Sequence, residues 1–456
     1  MKKQSLAVKM FIAMILGLVV GIGFLTIRES LLAGGQVDTW TTINNILFQD
    51  ITAEGANQAL GIFYIVGQLF VNALQLVIVP MVFVSIVLAM CRITDTKKLG
   101  RISFKTVSWF MITSVLGLLF AGIVGFVVYQ MGLFHVSVDG LTVSTGSAGS
   151  NPLAILLQVV PNNIISVFGN NGRVLSIVFL AAVVGIILNK IGDAKSVVKK
   201  VCEEINQIIT IFLGFIIEKF GPIAIFCLLT RTFAIYGVNH LKPAAVYIIT
   251  VVLALLFFLT VGYTIIIALG GKVNPLPFIK KIGKVAMFGF STSSSAATLP
   301  LNQKTTIEDM GVSEEVASFV LPLGMTVNMD GTAIMQVIAA IFIAGCAGYQ
   351  LELGSILFIG LLALVASIGT PAAPGAGAII LFTVLTGMGF TNDAALLAYS
   401  LILAINRPVE MLVTSLNVVG DSAVAVIVAK SEDALDESVY NKTEVERVTE
   451  VSEKVG

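Results

Sequence analysis

The chain has 456 residues, 57% of them hydrophobic and only 12% charged, with a mean hydropathy of +0.98. That balance excludes an ordinary soluble globular domain and reads as an all-α polytopic membrane protein. The 27 basic and 27 acidic residues cancel, so no basic excess points to nucleic acid, and the information lies in where the charges fall.

The N-terminus, MKKQSLAVKMFIAMILGLVVGIGFLTI, has a basic start and a long apolar run with no convincing small-residue cleavage site. It predicts a first spanning helix over 7–26 rather than a removed signal. Further spans are predicted at 60–91, 104–131, 153–190 (broken), 205–230, 243–270, 313–346 and 392–430. The loop Arg92–Lys105 carries five basic residues and one acid, and Lys272, Lys280, Lys281 and Lys284 cluster after the sixth span. The outward loop predicted over 27–57 instead has Arg28 alone against Glu29, Asp38, Asp50 and Glu54. The positive-inside rule places both termini in the cytoplasm. The tail Ser431–Gly456 is charged, lacks apolar periodicity and is predicted to be disordered. Cys91, Cys202, Cys227 and Cys346 lie in or beside apolar segments without CxxC spacing and are expected to be buried free thiols.

Two segments do not fit simple spans. Leu353–Asn392 runs 40 residues without a charge until its end and is interrupted by GTPAAPGAGA (Gly369–Ala378). Proline removes a backbone donor and glycine loosens a helix, so the interruption predicts a hairpin tip. Pro275–Gln303 likewise turns at FSTSSSAATLP (Phe290–Pro300). Non-helical backbone at membrane depth survives only when buried in protein or lining an aqueous cavity. Two re-entrant hairpins would bring their tips near the midplane, where transporter sites form from broken helices. Small residues packing helices closely is the plainer alternative.

Three carboxylates stand in the remaining apolar stretches. Asp330 is the only charged residue between Val316 and Cys346, while Glu410 and Asp421 share Ala394–Ala429 with a single base, Arg407. Charges in such segments are costly and tend to face partners, ions or substrate. Asn328-Met329-Asp330-Gly331-Thr332 interrupts its helix, and unwinding at Gly331 would free carbonyls for a hard cation beside Asp330 and Asn328. Glu410, Thr414, Asn417 and Asp421, spaced 4, 3 and 4 residues apart, share one helix face. That face suits an ammonium, a zwitterion or a sodium ion; an interhelical hydrogen-bond seam is the plainer reading. There is no nucleophile–base pair, HExxH or Walker motif. His135 and His240 fall at span ends or loops, so neither an enzyme nor ATP-driven transport is indicated.

FSTSSSAATLPL, LPLGMTVNMDGTA, SIGTPAAPGAGAI and TSLNVVGDSAVA resemble the dicarboxylate/amino acid:cation symporter family, the glutamate transporter family, from the first helix to about Lys430. The resemblance implies eight transmembrane helices and two re-entrant hairpins. Scaffold helices would occupy 1–103 and 132–230, the mobile transport domain 104–131 and 243–430, and the tail 431–456. It further implies a homotrimer and elevator-type alternating access, while the compact length without a long external insertion points to a prokaryotic inner membrane.

The resemblance also implies roles. Ser294 and Ser295 would meet the substrate carboxylate, Met329 and Thr332 line its pocket, Ala372 and Ala373 form the lid, and Thr414 and Asn417 bind the amino acid backbone. One sodium ion would use Asp421, Asn417 and carbonyls of Gly324 and Asn328. A second would use carbonyls of Thr326, Ser367, Ile368 and Thr370, and a third Asp330, Asn328, Thr113 and Ser114. Phe110 replaces a tyrosine found in archaeal relatives. No cofactor other than coupled sodium is implied.

Two departures bear on substrate. Val413 stands where acidic-substrate members carry an arginine, and Glu410 replaces the aspartate that meets the ammonium. Ser293 occupies a position that is arginine in some prokaryotic members. The sequence therefore predicts a sodium-coupled importer of a neutral amino acid. The alternatives are an acidic amino acid or dicarboxylate carrier using Arg407, with sodium or proton coupling, and, from another class, an ion channel.

Overall fold

A chain crossing hydrocarbon has to satisfy its backbone N–H and C=O groups within each segment, and the apolar runs accordingly fold as helices. The computed structural model describes residues 6–52, 56–91, 97–135, 160–170, 173–191, 197–237, 241–368, 370, 372 and 375–442. Helices α1 (Leu6–Ala33) and α2 (Val37–Leu47) lead to α3 (Ile62–Leu76), α4 (Ile78–Cys91) and α5 (Lys97–Gln130). Then come the short α6 (Ile164–Phe168), α7 (Val174–Ile191) and α8 (Val197–Phe215). A π-helical turn, Ile216–Phe220, joins α8 to α9 (Gly221–Tyr236). After α10 (Leu241–Phe257), π-helical turns at Phe258–Gly262 and Ile267–Gly271 carry the helix on to Gly271.

The second half is made of paired, interrupted helices. α11 (Pro275–Thr292) and α12 (Ser295–Lys304) form one hairpin, and α15 (Leu353–Ile368) and α16 (Ala376–Met388) the other. Between them lie α13 (Glu314–Val327) and α14 (Asp330–Cys346). α17 (Asp393–Ile405) and α18 (Arg407–Ser431) follow. Seven helical stretches among the described residues are long and apolar enough to cross a membrane. The fourth predicted span is represented only by α6 and α7, because 153–159 lies outside the described residues.

Three predicted elements need correction. The segment 27–57 is not simply a loop, since α1 runs on to Ala33 and α2 follows it; α2 buries none of its residues, so no core stripe marks it. The span 60–91 divides at Val77. The span 392–430 divides at Asn406, where Pro408 in the first turn of α18 cannot donate a backbone hydrogen bond.

Packing separates peripheral from central helices. α1 lies along α9, which also meets α3, and α4 packs on α7 and α8. α14 is gripped by α5, α10, α15 and α18, while α18 also contacts α11 and α13. Every residue of α14 is buried, as are all but Met411 from Val409 through Ala429 of α18. In α1 only 17% of the spanning window is buried, so its surface is left for lipid. All four cysteines are free and buried, as expected.

The beginning of the tail is not disordered. After α18, Leu435 forms an isolated bridge with Val312, and α19 (Glu437–Asn441) buries Tyr440 completely. The Lys281 Nζ donates to the carbonyls of Val439 and Tyr440, and the Tyr440 hydroxyl donates to the Asn274 carbonyl. The sequence hid this because the contacts are distant along the chain and Tyr440 is one aromatic in a charged stretch. Residues 443–456 lie outside the described residues.

An ion-pair cluster closes the same end. Arg101 Nε lies 2.9 Å from both Glu432 carboxylate oxygens, and Lys105 Nζ lies 2.6 Å from Oε1. The Arg101 hydrogen bonds hold the Glu432 carboxyl down at about 2, against an ordinary 4.5. Because the folded value is the lower one, the stabilisation is present above 4.5 and is lost as pH falls toward 2. Arg101 is well exposed, so solvent screens part of the effect. Glu432→Gln is expected to lower the melting temperature of the detergent-solubilised protein at neutral pH, with the gap to wild type closing as the solution is acidified through that window. A gap independent of pH would assign the loss to packing instead.

Candidate substrate and ion site

Four discontinuities of the second half meet at one place. In the first hairpin the turn falls at Ser293 and Ser294. Ser293 has φ +50, a left-handed conformation that costs a residue with a side chain about 1 kcal/mol. Ser294 caps α12, its Oγ accepting from Ala297 N, and the same hydroxyl donates to the Ala372 carbonyl across the tips at 3.0 Å. The two hairpins are thereby latched together.

The helix break between α13 and α14 sits at Asn328 and Met329, not at Gly331 as the sequence suggested. Gly331 is inside α14 and serves close approach. A Cβ there would stand 2.7 Å from the Val413 carbonyl, and its N–H donates to Asn417 Oδ1 at 2.8 Å. Asp330 opens α14, where the helix dipole favours a negative charge.

Between these elements lies a cavity with about 30 Å³ of water-accessible space, enough for roughly two or three waters. Of the ten residues predicted to bind substrate, Ser295, Met329, Thr332, Ala372, Glu410, Val413, Thr414 and Asn417 line it. Ser294 does not, acting instead in the latch, and Ala373 lies outside the described residues. Ser293 was not foreseen as lining. It is buried with an Oγ that has no hydrogen-bond partner, a polar group left over at the cavity wall.

Among the described residues, Glu410 is the only ionisable one lining this cavity. Its Oε1 accepts from Ala378 N at 3.4 Å, and its Oε2 lies 3.5 Å from Arg407 Nη1. Arg407 is turned to a second cavity on the far side of Glu410. Asn417 bridges by its amide, donating to Met329 Sδ at 3.2 Å and Thr332 Oγ1 at 3.3 Å.

The acidic groups are embedded in oxygens. Asp330 accepts from Ser114 Oγ at 2.5 Å and from the Tyr263 hydroxyl at 2.9 Å. Tyr263 was missed in the sequence because it is an isolated hydroxyl in an apolar span. Thr113, buried beside Ser114, also hydrogen-bonds Asp330, and its hydroxyl donates in addition to the Phe110 carbonyl. Asn328 Nδ2 donates to Asp421 Oδ1 at 3.0 Å and to the Asn417 carbonyl at 3.2 Å. A side chain at Gly324 would collide with the Asp421 carboxylate, so Gly324, Asn328, Asn417 and Asp421 do converge. Asn328 Oδ1 is buried without a hydrogen-bond partner. Two carboxylates and an unmatched amide oxygen suit a hard cation carried as cargo. Among the described residues no cluster of three His, Cys, Asp or Glu residues exists to hold a resident metal.

For the remaining predicted set, α13 and α15, which carry Thr326 and Ser367/Ile368, pack together. The Ser367 carbonyl accepts from Thr370 N at 2.9 Å, and Thr370 lines the cavity. His135 is exposed beside the Tyr129 ring, away from the site, and His240 lies outside the described residues.

The family model described as "Sodium:dicarboxylate symporter family" matches residues 6–431. The chain belongs to this family. It is 30% identical over 382 residues to a C4-dicarboxylate transport protein of Deinococcus deserti, covering 81% of this chain and 84% of the relative. It is 29% identical over 382 residues to a proton/glutamate-aspartate symporter of Escherichia coli, with 81% and 85% covered. A proton/sodium-glutamate symport protein of Geobacillus stearothermophilus is 28% identical over 444 residues, 96% of this chain and 97% of the relative. As a member of the sodium:dicarboxylate symporter family, the protein is a multi-pass membrane transporter and not an enzyme. The relatives are named for dicarboxylates and acidic amino acids, so membership does not carry the expected neutral-amino-acid type with it. In this symporter Val413, not a base, faces the cavity beside Glu410.

Proposed function

We propose that this symporter carries a zwitterionic, net-neutral amino acid together with sodium ions. The observation that supports it is the charge inventory of the cavity, whose lining among the described residues offers one acid, Glu410, and no base. Glu410 would hold the substrate ammonium, Thr414 and Asn417 its α-groups, and Ser295 with the tip amides its carboxylate. A side-chain carboxylate would face Val413 with its desolvation uncompensated and would be repelled by Glu410. Sodium ions would bind at Asp421 with Asn328, Asn417 and Gly324, and at Asp330 with Ser114. α1–α4 and α6–α9 would form the trimer scaffold; α5 and the elements from α10 through α18 would move as an elevator, with both termini cytoplasmic.

A second reading is supported by a different observation. Arg407 Nε and Nη1 are buried without hydrogen bonds, which favours an acidic amino acid or dicarboxylate as substrate, in line with the names of the relatives. A thermal-shift screen of the twenty amino acids and C4-dicarboxylates, with and without sodium, separates the readings. Saturable counterflow of labelled substrate between vesicle compartments separates a carrier from a channel.

Val413→Arg places a guanidinium against the cavity. A charge-assisted hydrogen bond contributes on the order of 1.5–3 kcal/mol, so aspartate or glutamate affinity is expected to rise roughly ten- to a hundredfold. Unchanged selectivity in competition uptake would remove Val413 from the pocket.

A further inference from the structure

The second cavity, with about 40 Å³ of water-accessible space, adjoins the first and shares Gly375 and Glu410 with it. Phe70 and Leu74 of α3, Ile225 of α9 and Leu403 of α17 give it apolar walls. Its polar groups are Asn406, Arg407 and the shared Glu410. Asn406 is 1% exposed, and its Oδ1 accepts from the Tyr247 hydroxyl at 2.7 Å, leaving Nδ2 without a partner. Arg407 Nε and Nη1 are also buried and make no hydrogen bond; Nη1 is only at ion-pair distance from Glu410. Asn406 and Arg407 thus bring two buried donor atoms without an acceptor, Nδ2 and Nε, to the lining of one small space, while Nη1 is paired only with Glu410. Buried donors are normally matched, and a mismatch of one polarity calls for an acceptor of the other.

We propose that this second cavity receives the far carboxylate of a long amino acid substrate whose α-amino acid end occupies the first. This rests on the reading of the first cavity as the amino acid site, and it names the substrate class as long α-amino acids ending in a carboxylate, of which the net-neutral members that reading requires carry a second ammonium. Diamino dicarboxylic acids, whose charges sum to zero, belong to it. Length is the selecting property. Arg407 and Thr414 are seven positions apart on α18, roughly 10 Å along the axis. The short side chains of aspartate and glutamate stop at Val413, short of Arg407. A longer chain passes Glu410 along the apolar walls and ends against Arg407 and Asn406. The same geometry reconciles an acid-facing first pocket with a buried guanidinium one turn further on.

The experiment measures binding to the purified full-length protein in sodium by calorimetry, using serine, norleucine, glutamate, 2-aminoadipate, 2-aminopimelate and 2,6-diaminopimelate. Expected is at least tenfold tighter binding of one of the three long acids than of norleucine or glutamate, with Arg407→Gln reducing that ratio to within threefold. Ile225→Trp, which fills the cavity from the opposite wall, is expected to lower the same ratio with Arg407 intact. Binding of serine or norleucine with no preference for a long acid overturns the proposal and leaves the amino acid reading standing. If acetate or chloride alone stabilises the protein in an Arg407-dependent way and long acids gain nothing, a free anion occupies the cavity and the proposal is overturned. Failure of every amino acid to bind while C4-dicarboxylates do would overturn the amino acid reading first, and this inference with it.

Discussion

Glu410→Ala is expected to abolish sodium-dependent uptake of zwitterionic amino acids. The carboxylate is buried, lines the cavity, and is held by Ala378 N on one side and Arg407 on the other. An ammonium entering the variant pocket would be desolvated with no partner, while Arg407 would remain buried beside it as a like charge. Breaking a buried pair by removing one member costs about 3–5 kcal/mol, which corresponds to a loss of roughly a hundred- to several thousandfold in affinity. Glu410→Asp, which restores the acid one methylene shorter, is expected to recover part of the uptake. The measurement is initial uptake rate in proteoliposomes with an imposed sodium gradient. Normal uptake by the alanine variant would place the ammonium elsewhere.

The second large effect is on sodium itself. Asp421→Asn removes the formal charge from the set in which Gly324, Asn328 and Asn417 converge. A hard cation there would keep neutral oxygens only, in an interior where charge interactions are poorly screened. If the lost interaction is on the order of 1.5–3 kcal/mol, the sodium concentration for half-maximal binding rises roughly ten- to a hundredfold. The thermal stabilisation conferred by sodium is expected to fall with it. Melting curves taken without sodium show whether the variant folds, because the new amide meets the Asn328 amide where an acceptor stood. An unaltered sodium response in a folded variant would exclude Asp421 from the ion site.

What the sequence revealed most clearly was interruption. Serines in place of bulky residues at 291–295 and the proline–glycine run after Ile368 are local signals, because they act on their own backbone. Paired helices flank both signals, α11 with α12 and α15 with α16, and Gly369, Pro371, Ala373 and Pro374 lie outside the described residues. Glu410, Asn417 and Asp421 were legible through helical spacing alone. The position of the break near Asp330 was not, because glycine has two uses. Gly331 looked like a point of unwinding but permits α18 to approach, whereas Asn328 leaves the helix to bond across to Asp421 and Asn417. Tyr263, Asn406 and the docked Tyr440 were hidden for one common reason. Each acts on a partner far away in the chain, and nothing in its neighbours announces that partner.

The enclosure of α18 has a consequence for biogenesis. The helix bearing Glu410, Asn417 and Asp421 is surrounded by α11, α13 and α14 and follows them in the chain. Synthesis proceeds from the N-terminus, so those earlier helices enter the bilayer before the segment that fills the space between them exists. Until it arrives, Asp330 lacks the helix that packs over it, and α18 carries Glu410, Asn417 and Asp421 on a face that only the finished bundle covers. Assembly of this half of the molecule is therefore decided at the end of translation, when a single late segment closes a half-built bundle around its own charges.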